Sequence, residues 1–218
     1  MTPPVRIIAI DGPAGAGKST VARAVADRLE MDYLDTGAMY RAVAFAAMRR
    51  GIDPADAEPV ALMTRDLQLE VAEKVTVDGV DATIEIRSPE VTRAASAVAT
   101  NPKVRTELVR RQREWAAAHG GGVIEGRDIG TVVFPSADLK IFLTAADAER
   151  ASRRSKEMLE LHYDEVAADL ARRDRTDTTR DTSPLAVADD AIQLDTTGLG
   201  IDKVVESVVA LAEAATRA

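Results

Sequence analysis

The sequence predicts an open α/β domain, a parallel sheet with helices on both faces. Three observations carry that expectation. Short runs rich in β-branched residues alternate with stretches of helical apolar spacing along most of the chain, and parallel strands need such crossovers. The first run, residues 5–10, stops abruptly at Gly12-Pro13-Ala14-Gly15-Ala16-Gly17, the pattern of a buried strand entering a tight loop and then a helix. One region, residues 67–100, departs from the alternation, and a chain of 218 residues has room for one such domain with a small insertion.

Each element follows from its local pattern. Residues 19–29 carry Val21, Ala24, Val25 and Leu29 at helical spacing, the helix of a first βαβ unit. Residues 31–34 read as a strand broken by Asp35-Thr36-Gly37. A helix over 38–50 is stopped by Gly51, and another over 55–65 follows Pro54. From residue 67 the texture changes. Residues 67–71, 75–77 and 83–86 alternate apolar and polar side chains, the last two flanking Asp78-Gly79. That predicts a small antiparallel patch of half-exposed strands. A helix with an arginine-rich face spans 102–118 and ends at Gly120-Gly121-Gly122. Strands are expected at 123–125, 139–143 and 191–194, and a helix at 147–161. A helix leading into the charge-dense stretch 172–181 is expected within 163–180. The closing helix, 201–215, has Val204, Val205, Val208, Val209 and Leu211 as its apolar set. The whole reads as a single domain over 1–218.

Composition removes several function classes. There is no cysteine, which excludes disulfides, thiolate catalysis and zinc–thiolate sites. Aromatics are 3 % and the formal net charge is −8, so base-stacking platforms are scarce and a phosphodiester backbone would be repelled; no nucleic-acid partner is expected. No apolar run of membrane length and no signal-peptide pattern is present, so neither a membrane partner nor export is expected, and a cytoplasmic monomer is. Of the 28 basic residues, 22 are Arg, whose planar fork fits phosphate oxygens.

Gly12-Pro13-Ala14-Gly15-Ala16-Gly17-Lys18-Ser19 matches the phosphate-loop pattern G-x-x-x-x-G-K-[ST] in full. Glycines let the backbone curl so that its N–H groups face phosphate oxygens, and the following helix aims its positive end at the same anion. Lys18 would reach the β- and γ-phosphates. The Ser19 hydroxyl could ligate Mg²⁺, with Thr20 as the alternative. ATP is the expected donor, held by residues 12–20.

Three further clusters point to a kinase. In Asp35-Thr36-Gly37-Ala38-Met39-Tyr40-Arg41, Thr36 could cap a helix that carries Arg41 toward an anion at its N-terminus. Gly126-Arg127-Asp128 follows a predicted strand, at the sheet edge where open α/β folds bind ligands. Arg150, Arg153 and Arg154, then Arg172, Arg173, Arg175 and Arg180, would suit a lid at 150–182 closing over polyphosphate. The Asn-Lys-x-Asp segment with which GTPases usually read guanine is missing, which disfavours a regulatory switch. A P-loop kinase acting on a different small molecule is the nearest rival.

These residues also carry a resemblance. Over nearly its whole length the chain resembles bacterial cytidylate (CMP) kinases of the nucleoside monophosphate kinase superfamily. It does so in Asp11 through Ser19, in Asp35 through Arg41, in Arg110-Arg111-Gln112-Arg113, and most specifically in Gly126-Arg127-Asp128-Ile129-Gly130-Thr131-Val132-Val133-Phe134-Pro135, continued by Lys140-Ile141-Phe142-Leu143. The resemblance implies a P-loop kinase fold with five parallel strands, phosphorylation of CMP and dCMP by ATP, and an insertion at 67–100 that enlarges the monophosphate-binding part. It implies that Thr36, Arg41 and Arg127 hold the CMP phosphate, and that Ser96, Arg105 and Asp128 read the cytosine. Arg173, Asp177 and Arg180 would approach ribose and phosphate. Lys18, Arg41, Arg127, Arg154 and Arg180 are the expected catalytic cations. Many members have Ser where Thr36 stands, and some have Gly where Ser19 stands. A carboxylate accepts from cytosine N4 and Arg donates to its acceptors, so Asp128 with Arg105 is the expected base reader.

Overall fold

The computed structural model describes residues 6–157 and 162–217. In chain order the elements are β1 (Ile7–Asp11), α1 (Lys18–Leu29), β2 (Tyr33–Asp35), α2 (Thr36–Arg49), α3 (Ala57–Asp66), β3 (Leu69–Val71), β4 (Val75–Val77) and β5 (Val80–Asp81). A 3₁₀ turn (Glu85–Arg87) precedes α4 (Pro89–Thr100) and α5 (Pro102–His119). Then come β6 (Gly122–Glu125), a π-helical turn (Ile129–Val133), β7 (Leu139–Thr144), α6 (Asp147–Glu157), α7 (Tyr163–Thr179), β8 (Ile192–Asp195) and α8 (Ile201–Arg217). The chain divides into two units, one being Leu34–Trp115 and the other the segments on either side of it. Val5 of the predicted first strand, and the last four residues of the helix expected over 147–161, lie outside the described residues. Among the described residues no helix is long and apolar enough to cross a membrane.

The parallel sheet has the order β2-β6-β1-β7-β8, and the flanking segments supply its last four strands. β1 is central, with Ile8 opposite Val123 on one side and Leu139 on the other, and Ile141 pairs with Ile192 beyond. A central parallel strand is buried on both faces, which explains why β1 reads as an unbroken apolar run, Ile7 to Ile10, instead of alternating. Ile8, Ile10, Val123, Ile141 and Leu143 meet Val21, Ala22 and Val25 of α1 and Val204, Val205, Val208 and Ala212 of α8 in one cluster. Small residues fill α1 because a helix must lie close to the sheet. The ends of β1, β6 and β7 that remain above this core carry the loops of the site.

The Leu34–Trp115 unit holds helices α2 to α4, most of α5 and the antiparallel sheet β3-β4-β5. Leu69 pairs with Val77 and Thr76 with Asp81. Asp78 and Gly79 both have positive φ, 50° and 75°, as a two-residue type I′ hairpin requires. The strand expected over 83–86 is not formed. The tight turn returns the chain at once, so Val80–Asp81 pairs instead, and Asp81 then accepts bonds from the Thr83 N–H (3.0 Å) and hydroxyl (2.6 Å). Those bonds turn the chain out of the sheet into the 3₁₀ turn, where Ile86 is buried and Ile84 exposed. Helix α4 was not predicted, although Ser88 accepts from the Val91 N–H and Pro89 takes the first helical position, both ordinary start signals. The stretch 172–179, expected to leave the helix, continues α7.

Candidate active site

The phosphate loop joins β1 to α1. Gly12 has φ 147°, and a Cβ there would sit 2.1 Å from the Leu143 carbonyl oxygen of β7, so only glycine lets the chain leave the sheet at that point. Gly15 and Gly17 are left-handed at φ 76° and 87°. The first turn of α1 holds no acidic residue, so its positive end faces the loop uncompensated by a carboxylate. Lys18 is buried, and its Nζ donates to the Pro13 carbonyl at 2.7 Å. Burial, then the positive charge of Arg127, push the Lys18 ammonium down to about 7. A desolvated cation beside a second cation is a site that an anion would stabilise. This cradle and its lysine fit a triphosphate.

Ser19 and Thr20 stand exposed at the start of α1. Mg²⁺ commonly binds through one or two protein oxygens, substrate phosphates and waters. A single hydroxyl beside a phosphate cradle fits that donor set, and either residue supplies it.

Across the sheet edge, Arg127 and Asp128 follow β6. Arg127 Nε donates to Asp177 Oδ2 of α7 at 2.8 Å and its Nη1 to the Gly126 carbonyl at 3.2 Å. Burial pushes the Asp177 carboxyl up, but Arg127, Arg180 and Arg173 together hold it below its ordinary value. Asp128 is buried, with Arg180 Nη2 3.4 Å from its Oδ1; Arg180 also donates through Nε to the Ser183 carbonyl at 2.6 Å. Structure thus brings Arg127, Asp128, Arg173, Asp177 and Arg180 into one network. Arg154 lies half-buried on α6.

In the Leu34–Trp115 unit, Asp35 caps α2. Its Oδ1 accepts from the Ala38 N–H and its Oδ2 from Arg41 Nη2, both at 2.8 Å. The cap was expected from Thr36, which is instead the first helical residue and buried. Asp35 wins because its carboxylate satisfies a helix N–H and an arginine at once. Burial raises its carboxyl, yet Arg41, the Ala38 N–H and Arg87 hold it below the usual range. Arg41 Nε is buried without a partner, a donor still open to a ligand oxygen. Arg105 is buried, with its guanidinium 5.5 Å from the Tyr40 ring centre and its Nη1 donating to the Ala99 carbonyl at 3.3 Å. Ser96 is half-buried on α4.

Sequence reasoning gave no role to three acids. Asp35 was detectable, standing three residues before Ala38 at a helix start. Asp11 accepts from the Ile129 and Gly130 N–H groups at 2.9 and 2.8 Å, and burial pushes it up to about 6 against those two bonds. Nothing local marks it, because its partners lie far along the chain. Asp174 bonds the phosphate loop itself. The arginines expected to form an open positive run are largely occupied: Arg150 by Asp147 and Asp174, Arg153 by Glu149, and Arg172 by Asp169.

A parallel sheet ending in a backbone anion cradle, with a buried lysine inside it and a carboxylate-held arginine on the neighbouring strand's loop, defines a P-loop kinase. Comparison with known proteins specifies which one. Residues 8–214 match the family described as "Cytidylate kinase". The chain is 51% identical over 212 residues to a protein named "Cytidylate kinase" from Desulfitobacterium hafniense, covering 94% of this chain and 91% of that protein. It is 48% identical to the "Bifunctional pantoate ligase/cytidylate kinase" of a Synechococcus strain, again over 94% of this chain but only 44% of that longer protein. Its fold is similar to the crystal structure of a gluconokinase from Sinorhizobium meliloti, with TM-score 0.53 and 12% identity, covering 98% of this chain and 94% of that one. The chain belongs to the cytidylate kinase family.

Proposed function

We propose that this chain transfers the γ-phosphoryl group of ATP in line onto CMP, and onto dCMP, with Mg²⁺ as its metal cofactor. The buried Lys18 carries the proposal: held in a backbone cradle and pushed down to about 7 by burial and Arg127, it is a cation that a triphosphate would restore to full charge. The 51% identity to a cytidylate kinase supports CMP as acceptor.

A phosphate monoester has a second pKa of about 6, so the acceptor is already mostly a dianion at neutral pH. No general base is required. The chain's task is alignment and charge neutralisation. Thr36, Arg41 and Arg127 receive the CMP phosphate. Ser96, Arg105 and Asp128 recognise cytosine, and Arg173, Asp177 and Arg180 serve ribose and phosphate. Lys18, with Arg154 and Arg180, neutralises the equatorial oxygens of the moving group. Either Ser19 or Thr20 offers its hydroxyl to the metal, which supplies charge neutralisation on the phosphates when bound. The segment 67–100 belongs to the monophosphate-binding part and 150–182 to the lid. The chain works as a cytoplasmic monomer on small molecules, without a nucleic-acid or membrane partner.

Mixing the purified protein with ATP, Mg²⁺ and CMP, and then with UMP, AMP or GMP in place of CMP, tests this directly. CDP formation with a clear preference for CMP is expected. Equal turnover of another monophosphate would remove CMP as the substrate, and the lack of any ATP-dependent product would remove the activity.

A further inference from the structure

One residue of the phosphate loop is gripped from outside at both of its backbone polar atoms. The Ala14 N–H donates to Asp174 Oδ1 of α7 at 3.0 Å, and the Ala14 carbonyl accepts from Arg150 Nη1 of α6 at 2.8 Å. Arg150 and Asp174 also pair with each other, and Arg150 Nη2 reaches Asp147 at 2.6 Å. The Ala14 methyl is buried in a small apolar cluster with Ala151 of α6 and Val166 and Leu170 of α7. The loop lies so close to α6 that a Cβ on Gly15 would come within 3.1 Å of the Arg150 carbonyl oxygen. These contacts surround a single residue, and they come from two helices remote in sequence.

Anion binding by a glycine-rich loop depends on N–H groups that already point inward. A loop that must be ordered by its ligand gives up affinity for the ordering. We propose that Asp174 is a positioning residue for the donor nucleotide: paired with Arg150, it fixes the two peptide groups that flank Ala14 and so presets the loop for triphosphate. Asp177, one turn further along α7, pairs with Arg127 on the acceptor side. Successive turns of one helix therefore support different halves of the reaction. The inference rests on the ATP-binding role assigned above.

Isothermal titration of ATP into the wild-type chain, Asp174→Asn and Asp174→Ala, with KM for each substrate and a melting temperature for each protein, tests it. In Asp174→Ala the ATP Kd and KM should rise about tenfold, the scale of a lost charge-assisted hydrogen bond. KM for CMP should change much less, since Asp174 reaches the acceptor side only through its charge on Arg127, which Asp177 holds directly. Asp174→Asn keeps one acceptor for the Ala14 N–H and should fall between. Combined with Arg150→Gln, Asp174→Ala should cost less than the sum of the single changes. Unchanged ATP affinity in folded Asp174→Ala overturns the proposal, and so does an equal rise in both KM values. Should Asp174→Ala fail to fold, Asp174→Asn is judged by the same criteria; failure of both to fold makes the pair a brace of the fold and overturns it too. Wild-type protein that binds no ATP would remove the function above, and this inference with it. Tight wild-type binding matched by the variants removes this inference alone.

Discussion

The phosphate loop and the arginine-bearing elements present positive charge by opposite means. In the loop the positive charge is that of backbone N–H groups and one buried lysine, and Lys18 donates to a carbonyl, Pro13, at 2.7 Å. Three of the arginines instead have a carboxylate: Arg41 has Asp35, Arg127 has Asp177, and Arg180 faces Asp128. The consequence differs too. Lys18 is pushed down to about 7 by burial. An arginine keeps its charge regardless, and its carboxylate fixes where the fork points. A lysine in a dry cradle waits for its counter-charge, whereas a paired arginine is aimed in advance.

That contrast can be broken or sharpened experimentally. The largest effect should come from the unpaired cation. Lys18→Met should lower kcat/KM by ~10²–10³-fold, the usual cost of one transition-state charge donor, with the circular dichroism spectrum unchanged; a loss under tenfold would mean the loop N–H groups suffice. Next, Arg127→Gln should cost kcat/KM for CMP about 10²-fold, as removing a charged partner of a phosphate does. Asp177→Asn, which leaves the arginine present but unaimed, should cost about tenfold. If the two changes proved equal, aiming rather than charge would be the whole contribution of the pair.

A smaller change concerns the base. Asp128→Ala should raise KM for CMP by about tenfold and narrow its preference over UMP, because a carboxylate opposite uracil O4 is a polar mismatch. Steady-state kinetics with unchanged discrimination would leave Asp128 as the partner of Arg180 only.

The smallest effect is one of pH. Lys18 at about 7 in the free protein, against 10.5 ordinarily, is largely neutral at pH 8. A bound triphosphate raises it, so the complex holds more protons than the free chain, and ATP binding should take up a proton in the window above pH 7. Affinity should then weaken about fivefold between pH 7 and 8, by linkage. Calorimetry at pH 8 in buffers of different ionisation enthalpy should register the uptake in the wild type and lose it in Lys18→Met. Uptake that persists in the variant would place the titrating group elsewhere.

How much of this was legible beforehand depends on how local the determining interactions are. The strand–glycine–lysine–helix order of residues 7–29 was readable because each feature is fixed by neighbours: the apolar run, the glycines, and the helical spacing of Val21 and Val25. The parallel sheet followed from the alternation of runs. The strand expected over 83–86 failed because an alternating pattern there was consistent with a 3₁₀ turn once Asp78-Gly79 had closed the hairpin. Thr36 was mistaken for the cap because hydroxyls and carboxylates compete for the same N–H, and only the position of Arg41 favours Asp35.

The sequence alone determined the donor half of this protein, since a phosphate loop is a property of eight consecutive residues and the dihedral freedom of its glycines. It also determined the fold class, because short apolar strand runs alternate with helical stretches, the crossovers that parallel strands need. Tertiary structure decided which acid serves which cation. Asp11 reaches Ile129 and Gly130, Asp174 reaches Ala14, and Asp177 reaches Arg127, pairs separated by 50 to 160 residues in the last two cases. Hydrogen bonds depend on distances of a few ångströms, and no local pattern encodes which distant loops the sheet will bring that close.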